Sequence, residues 1–149
     1  MFTKVLVANR GEIAVRIIRS LHELGIKSVA IYSTVDRESL HVQLADEAVC
    51  VGGPRPQDSY LNMQNILAAA VGTGVQAIHP GFGFLSENSQ FAEMCQECGI
   101  TFIGPQAQTI DLMGNKEHAR QQMKKIGVPV IPGSDSYINN VNEAIEVAD

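Results

Sequence analysis

Five short runs rich in valine and isoleucine, separated for the most part by amphipathic segments, constrain the fold of this chain more than any other feature. They lie at Lys4 to Ala8, Ser28 to Tyr32, Ala48 to Val51, Val75 to Ile78 and Thr101 to Ile103. Unbroken apolar runs of this length suit strands covered on both faces, and such strands occur in parallel sheets whose crossovers are helices. The alternation predicts an α/β fold, a parallel doubly wound sheet with helices on both faces.

The intervening segments carry the helical period. Ile13, Ile17, Leu21 and Leu24 form one stripe, widened by Ala14 and Ile18, while Arg16, Arg19, His22 and Glu23 lie opposite. Asn9 and Glu12 have the spacing of a capping pair, and Gly25 supplies the stop. A second helix is expected from about Asn62 to Val71, with Met63, Ile66, Leu67 and Ala70 inward, after the turn signal Gly52-Gly53-Pro54-Arg55-Pro56. Ser86 is a candidate cap for a third, which carries Phe91, Ala92 and Met94. Gln106 to Met113 and Asn115 to Ile126 read as two more, the latter stopped by Gly127-Val128-Pro129. From Asn140, paired with Glu143, a further helix places Ala144, Ile145, Val147 and Ala148 on an apolar face and runs to Asp149. A helix of about nine residues is marginal alone, so the natural polypeptide is expected to continue past Asp149.

With 149 residues, 45% of them hydrophobic and 18% charged, the chain can bury one core and begin another domain. No apolar run approaches the ~20 residues of a membrane span. The amino terminus also lacks a secretory signal pattern, so cytoplasm is the expected location. A net charge of −5 and 5% aromatic residues argue against a nucleic-acid surface, which needs basic stripes and stacking rings. Three cysteines, an odd number, fit a reducing compartment better than a disulfide framework. Cys95 and Cys98 form a CxxC, but at the carboxyl end of a helix, where the dipole disfavours a thiolate. No second CxxC or HxxxH completes a zinc site. Both are read as ordinary helix residues, and Cys50 as a small buried side chain.

Ligands of parallel sheets bind beyond the carboxyl ends of the strands. The loops that fall there, Asn9-Arg10-Gly11, His79-Pro80-Gly81-Phe82-Gly83-Phe84 and Ile103-Gly104-Pro105, are expected to converge. Gly81 and Gly83 permit a sharp turn and a close approach that a side chain would prevent. The first turn is not GxGxxG, and Tyr32-Ser33-Thr34 stands where a ribose-binding acid would end the second strand. A dinucleotide fold without dinucleotide binding follows, although Asp36, shortly afterwards, keeps NAD as an alternative.

Lys116 lies in the first turn of a helix capped by Asn115, where the dipole disfavours a cation. A neighbouring anion would offset that cost, with free backbone N–H groups of the turn assisting; the plain alternative is a solvated lysine. His79 and Glu87 flank the glycine turn at a separation that fixes no distance. His79 also suits a strand-end histidine, and Glu87 a carboxylate favoured by the dipole of the following helix. Arg16, Arg19 and Glu23 share a polar face, with Arg19 and Glu23 spaced to pair along it.

Taken in order, ANRGEIA, HPGFGFLSEN, FIGP and MGNK resemble the amino-terminal domain of biotin carboxylase over about Thr3 to Asp135. Biotin carboxylase is the ATP-dependent component of acetyl-CoA carboxylase, and is also built into pyruvate, propionyl-CoA and methylcrotonyl-CoA carboxylases. The resemblance implies a Rossmann-like pre-ATP-grasp domain over residues 1–114 and the beginning of an ATP-grasp domain over 115–149. In that family ATP phosphorylates bicarbonate to carboxyphosphate, which carboxylates N1 of biotin on the biotin carboxyl carrier protein. A carboxyltransferase component then uses the product, in acetyl-CoA carboxylase for fatty-acid synthesis.

By the same resemblance Lys116 contacts ATP, and His79, Gly81, Phe82, Gly83 and Glu87 wall the biotin and bicarbonate site. Arg16, Arg19 and Glu23 enter a homodimer contact. Mg2+ or Mn2+ binds residues beyond Asp149, and no catalytic or metal-binding residue is assigned here, so the chain is not expected to catalyse alone. Phe82 replaces the tyrosine common in the motif, which removes a hydroxyl. Asn115 replaces a frequent Asp, which keeps the cap but drops a charge. The final carboxyl acceptor is selected elsewhere, so a head domain of pyruvate or another acyl-CoA carboxylase stands beside the acetyl-CoA carboxylase reading. A non-catalytic binding or dimerisation module is the alternative of another class.

Overall fold

A computed structural model of the chain describes residues 1–131 together with 140, 141 and 145. The helix expected from Asn140 to Asp149 lies, those three positions apart, outside the described residues. The chain divides into two compact units, residues 1–107 and 108–149.

The first unit holds β1 (Lys4–Val7), α1 (Gly11–Glu23), β2 (Lys27–Ser33), α2 (Leu40–Leu44), β3 (Glu47–Gly52), α3 (Met63–Thr73), β4 (Ala77–His79), α4 (Ser89–Glu97) and β5 (Thr101–Phe102). Its strands form a five-stranded parallel sheet in the order β3-β2-β1-β4-β5. The expected parallel α/β sheet is present. β1 is central, and Val5, Leu6 and Val7 are fully buried, each side chain contributing about 1.5–3 kcal/mol. Alternate strand residues feed two cores. Leu6, Val29, Ile31 and Ile78 pack with Ile66, Leu67 and Ala70 of α3 and Phe91 and Cys95 of α4. Val5, Val7, Ala30 and Ala77 pack with Ala14, Ile18 and Leu21 of α1.

Several local expectations are corrected. Leu24 caps α1 rather than extending its stripe and is 63% exposed. The Asn9–Glu12 capping pair does not form: Arg10 occupies the N-cap and makes no side-chain cap bond. Asn88, not Ser86, caps α4, its Oδ1 accepting from the Phe91 N–H at 2.8 Å. Cys50 is exposed, because β3 is an edge strand with Glu47, Ala48 and Cys50 open to solvent. The five-residue α2 has no counterpart in the periodicity; it buries His41.

The second unit takes in most of α5 (Ala107–Gly114) and all of α6 (Lys116–Lys125). Asn115 caps α6, its Oδ1 accepting from the Glu117 and His118 amides at 3.0 and 3.1 Å. Beyond it Gly127, at φ 77°, donates to the Lys124 carbonyl and Val128 to that of Met123, which closes the helix end.

Candidate functional site

β1 lies between β2 and β4, so the chain leaves it towards one side of the sheet and returns on the other; the crevice of an open parallel sheet forms at such a switch point. Asn9, the second residue beyond β1, is only 3% exposed there. Its Nδ2 donates to the carbonyls of Pro80 and Phe82 at 2.8 and 2.9 Å. Its Oδ1 accepts from the Arg10 N–H at 2.9 Å, and the Ala8 N–H donates to the His79 carbonyl at 2.9 Å. The first loop is therefore stitched to the glycine-containing loop.

Both glycines of that loop have positive φ, 71° at Gly81 and 69° at Gly83. At Gly81 a Cβ would also stand 2.7 Å from Asn9 Nδ2 and 2.9 Å from Ile13 Cγ2, whereas nothing lies within 4 Å at Gly83. Gly81 answers to close approach as well as conformation, Gly83 to conformation alone. The loop leaves Phe82 77% exposed. Ile103, which follows β5, donates to the Ile78 carbonyl at 2.9 Å and shares with His79, Arg16 and Ser20 a cleft of about 390 Å³ on the α1 face. All three loops thus follow adjacent strands.

His79 Nδ1 accepts from the Gly81 N–H at 3.0 Å. Burial holds the imidazole below its ordinary pKa, and the accepting nitrogen must stay unprotonated to keep this bond. His79 is thus a neutral strut within the turn, with its proton on Nε2. Glu87 is exposed just before the cap Asn88.

A second group of polar side chains gathers at the carboxyl end of β2. Tyr60, 1% exposed, donates its hydroxyl to Asp36 Oδ2 at 2.7 Å and accepts from the Ser33 N–H at 3.1 Å. The Ser33 hydroxyl donates to the same Asp36 oxygen at 2.7 Å, and Arg10 Nη1 lies 3.7 Å from it. Burial opposes ionisation of Asp36, but the bonds from Tyr60 and Ser33 and the charge of Arg10 outweigh it, and its carboxyl falls below the ordinary value. Burial and the bond to Asp36 push the Tyr60 phenol up to about 12. The Tyr60 ring stacks on Phe84 at 5.3 Å and 22°, and the Arg10 guanidinium stands 5.6 and 6.0 Å from the two ring centroids. Asp36 Oδ2 is thus engaged within the fold by Tyr60, Ser33 and Arg10, which weakens the case for Asp36 as a ribose ligand.

Residues 1–110 match the family model described as biotin carboxylase, N-terminal domain. The chain belongs to the biotin carboxylase N-terminal domain family. It is 57% identical over 148 residues to biotin carboxylase 1 of Bacillus subtilis, covering 99% of this chain and 33% of that protein. The biotin carboxylase domain dimer of Hydrogenobacter thermophilus 2-oxoglutarate carboxylase, solved with MgADP, ADP and bicarbonate, matches with a TM-score of 0.92 at 53% identity, over 98% of this chain and 32% of that one. A biotin carboxylase complex with βγ-ATP from Campylobacter jejuni gives 0.95 at 44%, over 99% and 33%. The chain spans about a third of the length of each of these relatives.

Of the remaining candidates in this biotin carboxylase domain chain, Lys116 belongs to the second unit, whereas Arg16, Arg19 and Glu23 lie on α1 of the first. Lys116 is exposed in the first turn of α6. Because Asn115 already takes the Glu117 and His118 amides, the free backbone donors expected there are reduced, and any anion contact falls mainly to the lysine side chain. Arg16, Arg19 and Glu23 are all exposed on α1. Among the described residues, neither Arg19 nor Glu23 joins an ion pair. Sequence reasoning missed Tyr60 altogether and took Asn9 for a helix cap; a polar residue at the tip of a buried strand, next to a glycine loop, is the signal that points to Asn9.

Proposed function

We propose that the chain is the amino-terminal part of a biotin carboxylase that uses ATP and bicarbonate to carboxylate biotin on a carrier protein. The observation that carries this is the 79–88 loop, locked at the switch point by Asn9 and presenting Phe82 to solvent in a chain of this family. In the reaction a bicarbonate oxygen attacks the γ-phosphorus of ATP, ADP leaves, and the resulting carboxyphosphate gives its carboxyl group to biotin N1 as phosphate is released and takes up the N1 proton. Lys116 contacts the nucleotide through its ammonium. His79, Gly81, Phe82, Gly83 and Glu87 border the acceptor side, where an exposed ring and a neutral histidine suit an uncharged ureido ring. Mg2+ or Mn2+ neutralises the phosphates from ligands elsewhere. Among the described residues no group of three or more His, Cys, Asp or Glu is placed to hold a metal ion.

The same reading assigns residues 1–114 to the pre-ATP-grasp domain and 115–149 to the start of the ATP-grasp domain. Arg16, Arg19 and Glu23 belong to a two-fold contact, where unpaired charges of both signs on one helix can match isologously. The carrier protein and a carboxyltransferase are the partners, in acetyl-CoA carboxylase and fatty-acid synthesis. A reducing cytoplasm suits the exposed thiols of Cys50 and Cys98.

The test is a chimera joining this chain to the remaining part of the Bacillus subtilis relative. Bicarbonate-dependent ATP cleavage stimulated by free biotin is expected. A folded chimera that binds MgATP but shows no bicarbonate dependence would overturn the reading.

A further inference from the structure

Phe84 has φ 45°, alone among the non-glycine described residues in being positive. A bulky L residue rarely adopts that conformation, and such strain persists only where the surroundings impose it. The turn contributes, since the Ser86 N–H donates to the Gly83 carbonyl at 2.9 Å across Phe84, but such a bond does not by itself demand a positive φ at a bulky residue. What meets Phe84 is the ring of Tyr60, stacked at 5.3 Å.

Tyr60 is itself fixed at both ends. Its side chain is essentially inaccessible, and its hydroxyl has one donor, the Ser33 N–H, and one acceptor, Asp36. Packing alone needs no hydroxyl at this depth, where an unpaired one is costly. The two bonds orient the ring plane, and that plane meets Phe84. Asp36 also faces the Arg10 guanidinium, which stands near both rings.

We propose that Tyr60 is a positioning residue for the loop that carries Phe82: held by Ser33 and Asp36, its ring keeps Phe84 in the left-handed conformation and so sets where Phe82 is presented. This rests on the reading that the 79–88 loop borders the biotin and bicarbonate site. Tyr60 touches no substrate; it acts through Phe84.

Two measurements separate this proposal from that reading. In the 149-residue chain, amide hydrogen exchange reports the loop through Gly81, Ser86 and Asn88, whose N–H groups bond to His79 Nδ1 and the carbonyls of Gly83 and Leu85. Tyr60→Leu is expected to speed exchange at these amides about tenfold while β1 and β2 stay protected. No change at the loop, or equal acceleration across sheet and loop, overturns the proposal. Should Tyr60→Leu not fold, Tyr60→Phe decides: about threefold faster loop exchange is expected, and an unaltered loop overturns it.

In the chimera, Tyr60→Leu is expected to raise KM for biotin about fivefold with KM for ATP changed by less than about twofold, and Tyr60→Phe, which keeps the ring but loses both hydroxyl bonds, to recover part of the loss. Equal rises in both KM values count against positioning. A parent chimera that binds MgATP yet is inactive sinks the functional reading, and the exchange experiment then decides on its own whether Tyr60 sets the loop.

Discussion

The side-chain amide of Asn9 donates to the backbone carbonyl of Phe82 at 2.9 Å, across 73 residues of sequence. With its partner bond to Pro80, it fixes the separation between the tip of β1 and the turn after β4.

Asn9→Ala leaves two loop carbonyls without their donor and is expected to cost about 1–3 kcal/mol of stability. Asn9→Asp, which keeps the shape but offers acceptors where donors are needed, is expected to cost at least as much. Urea denaturation of the three proteins measures both. Unchanged midpoints for both variants would remove the clamp from the account of the loop.

The two glycines differ in what they demand. Gly83→Ala meets only the conformational penalty of positive φ, about 1–2 kcal/mol. Gly81→Ala adds a collision with Asn9 and Ile13 and is expected to be the more damaging. Thermal unfolding of the pair tests the order, and the reverse ranking would contradict the observed close approach.

Acid should weaken the fold in two stages. Burial holds His41 and His79 below the ordinary imidazole value of 6.5; for His41 the repulsion of Arg10 adds to it, against the bond to Ile31 and the charge of Asp36. A group depressed in the folded state contributes stability that is full above its unfolded value and lost as pH falls through its folded value. Stability should therefore decline below 6.5, with Asp36 and Asp46 adding a second decline below 3.8. Urea midpoints against pH read both stages, and a double variant His41→Gln, His79→Gln should flatten the first.

Lys116→Gln in the chimera is expected to raise KM for ATP about tenfold or more, the worth of a hydrogen bond to a charged group, with KM for biotin little changed. Steady-state kinetics at varied ATP measures this. An unaltered KM would return Lys116 to the solvated surface.

Thiol reactivity should follow burial. Cys50 and Cys98 are exposed and should react rapidly with a disulfide reagent under native conditions. Cys95 should react only on unfolding, because burial and neighbouring Cys98 push its pKa up to about 12. Counting titrated thiols before and after denaturant checks it.

The sheet was legible because β1 and β2 are covered on both faces, so composition alone marks them. The helix α1 followed from period, although its buried line runs through Ala14, Ile18 and Leu21 rather than through Ile13, Ile17, Leu21 and Leu24, and Asn115 as a cap followed from local chemistry. Cys50 was misread because an edge strand is as apolar as a central one, and sequence carries no sign of which strand lacks a neighbour. Asn9 was misread because an asparagine before a helix serves a cap or a distant carbonyl equally well, and only the pairing of β1 with β4 decides. Tyr60 lay outside any period, its partners coming from three separate connections.

The 3-2-1-4-5 order of the strands also has a temporal side. During synthesis β1 can add β2 at once, but its other edge stays open until Ala77–His79 has emerged. Until then the nascent chain exposes an unpaired strand edge, apolar but for Lys4, the kind of surface that chaperones shield and that aggregates recruit. The clamp made by Asn9 must likewise wait for Pro80 and Phe82, and a ribosome stalled before the glycine loop would hold a chain with an unfinished sheet.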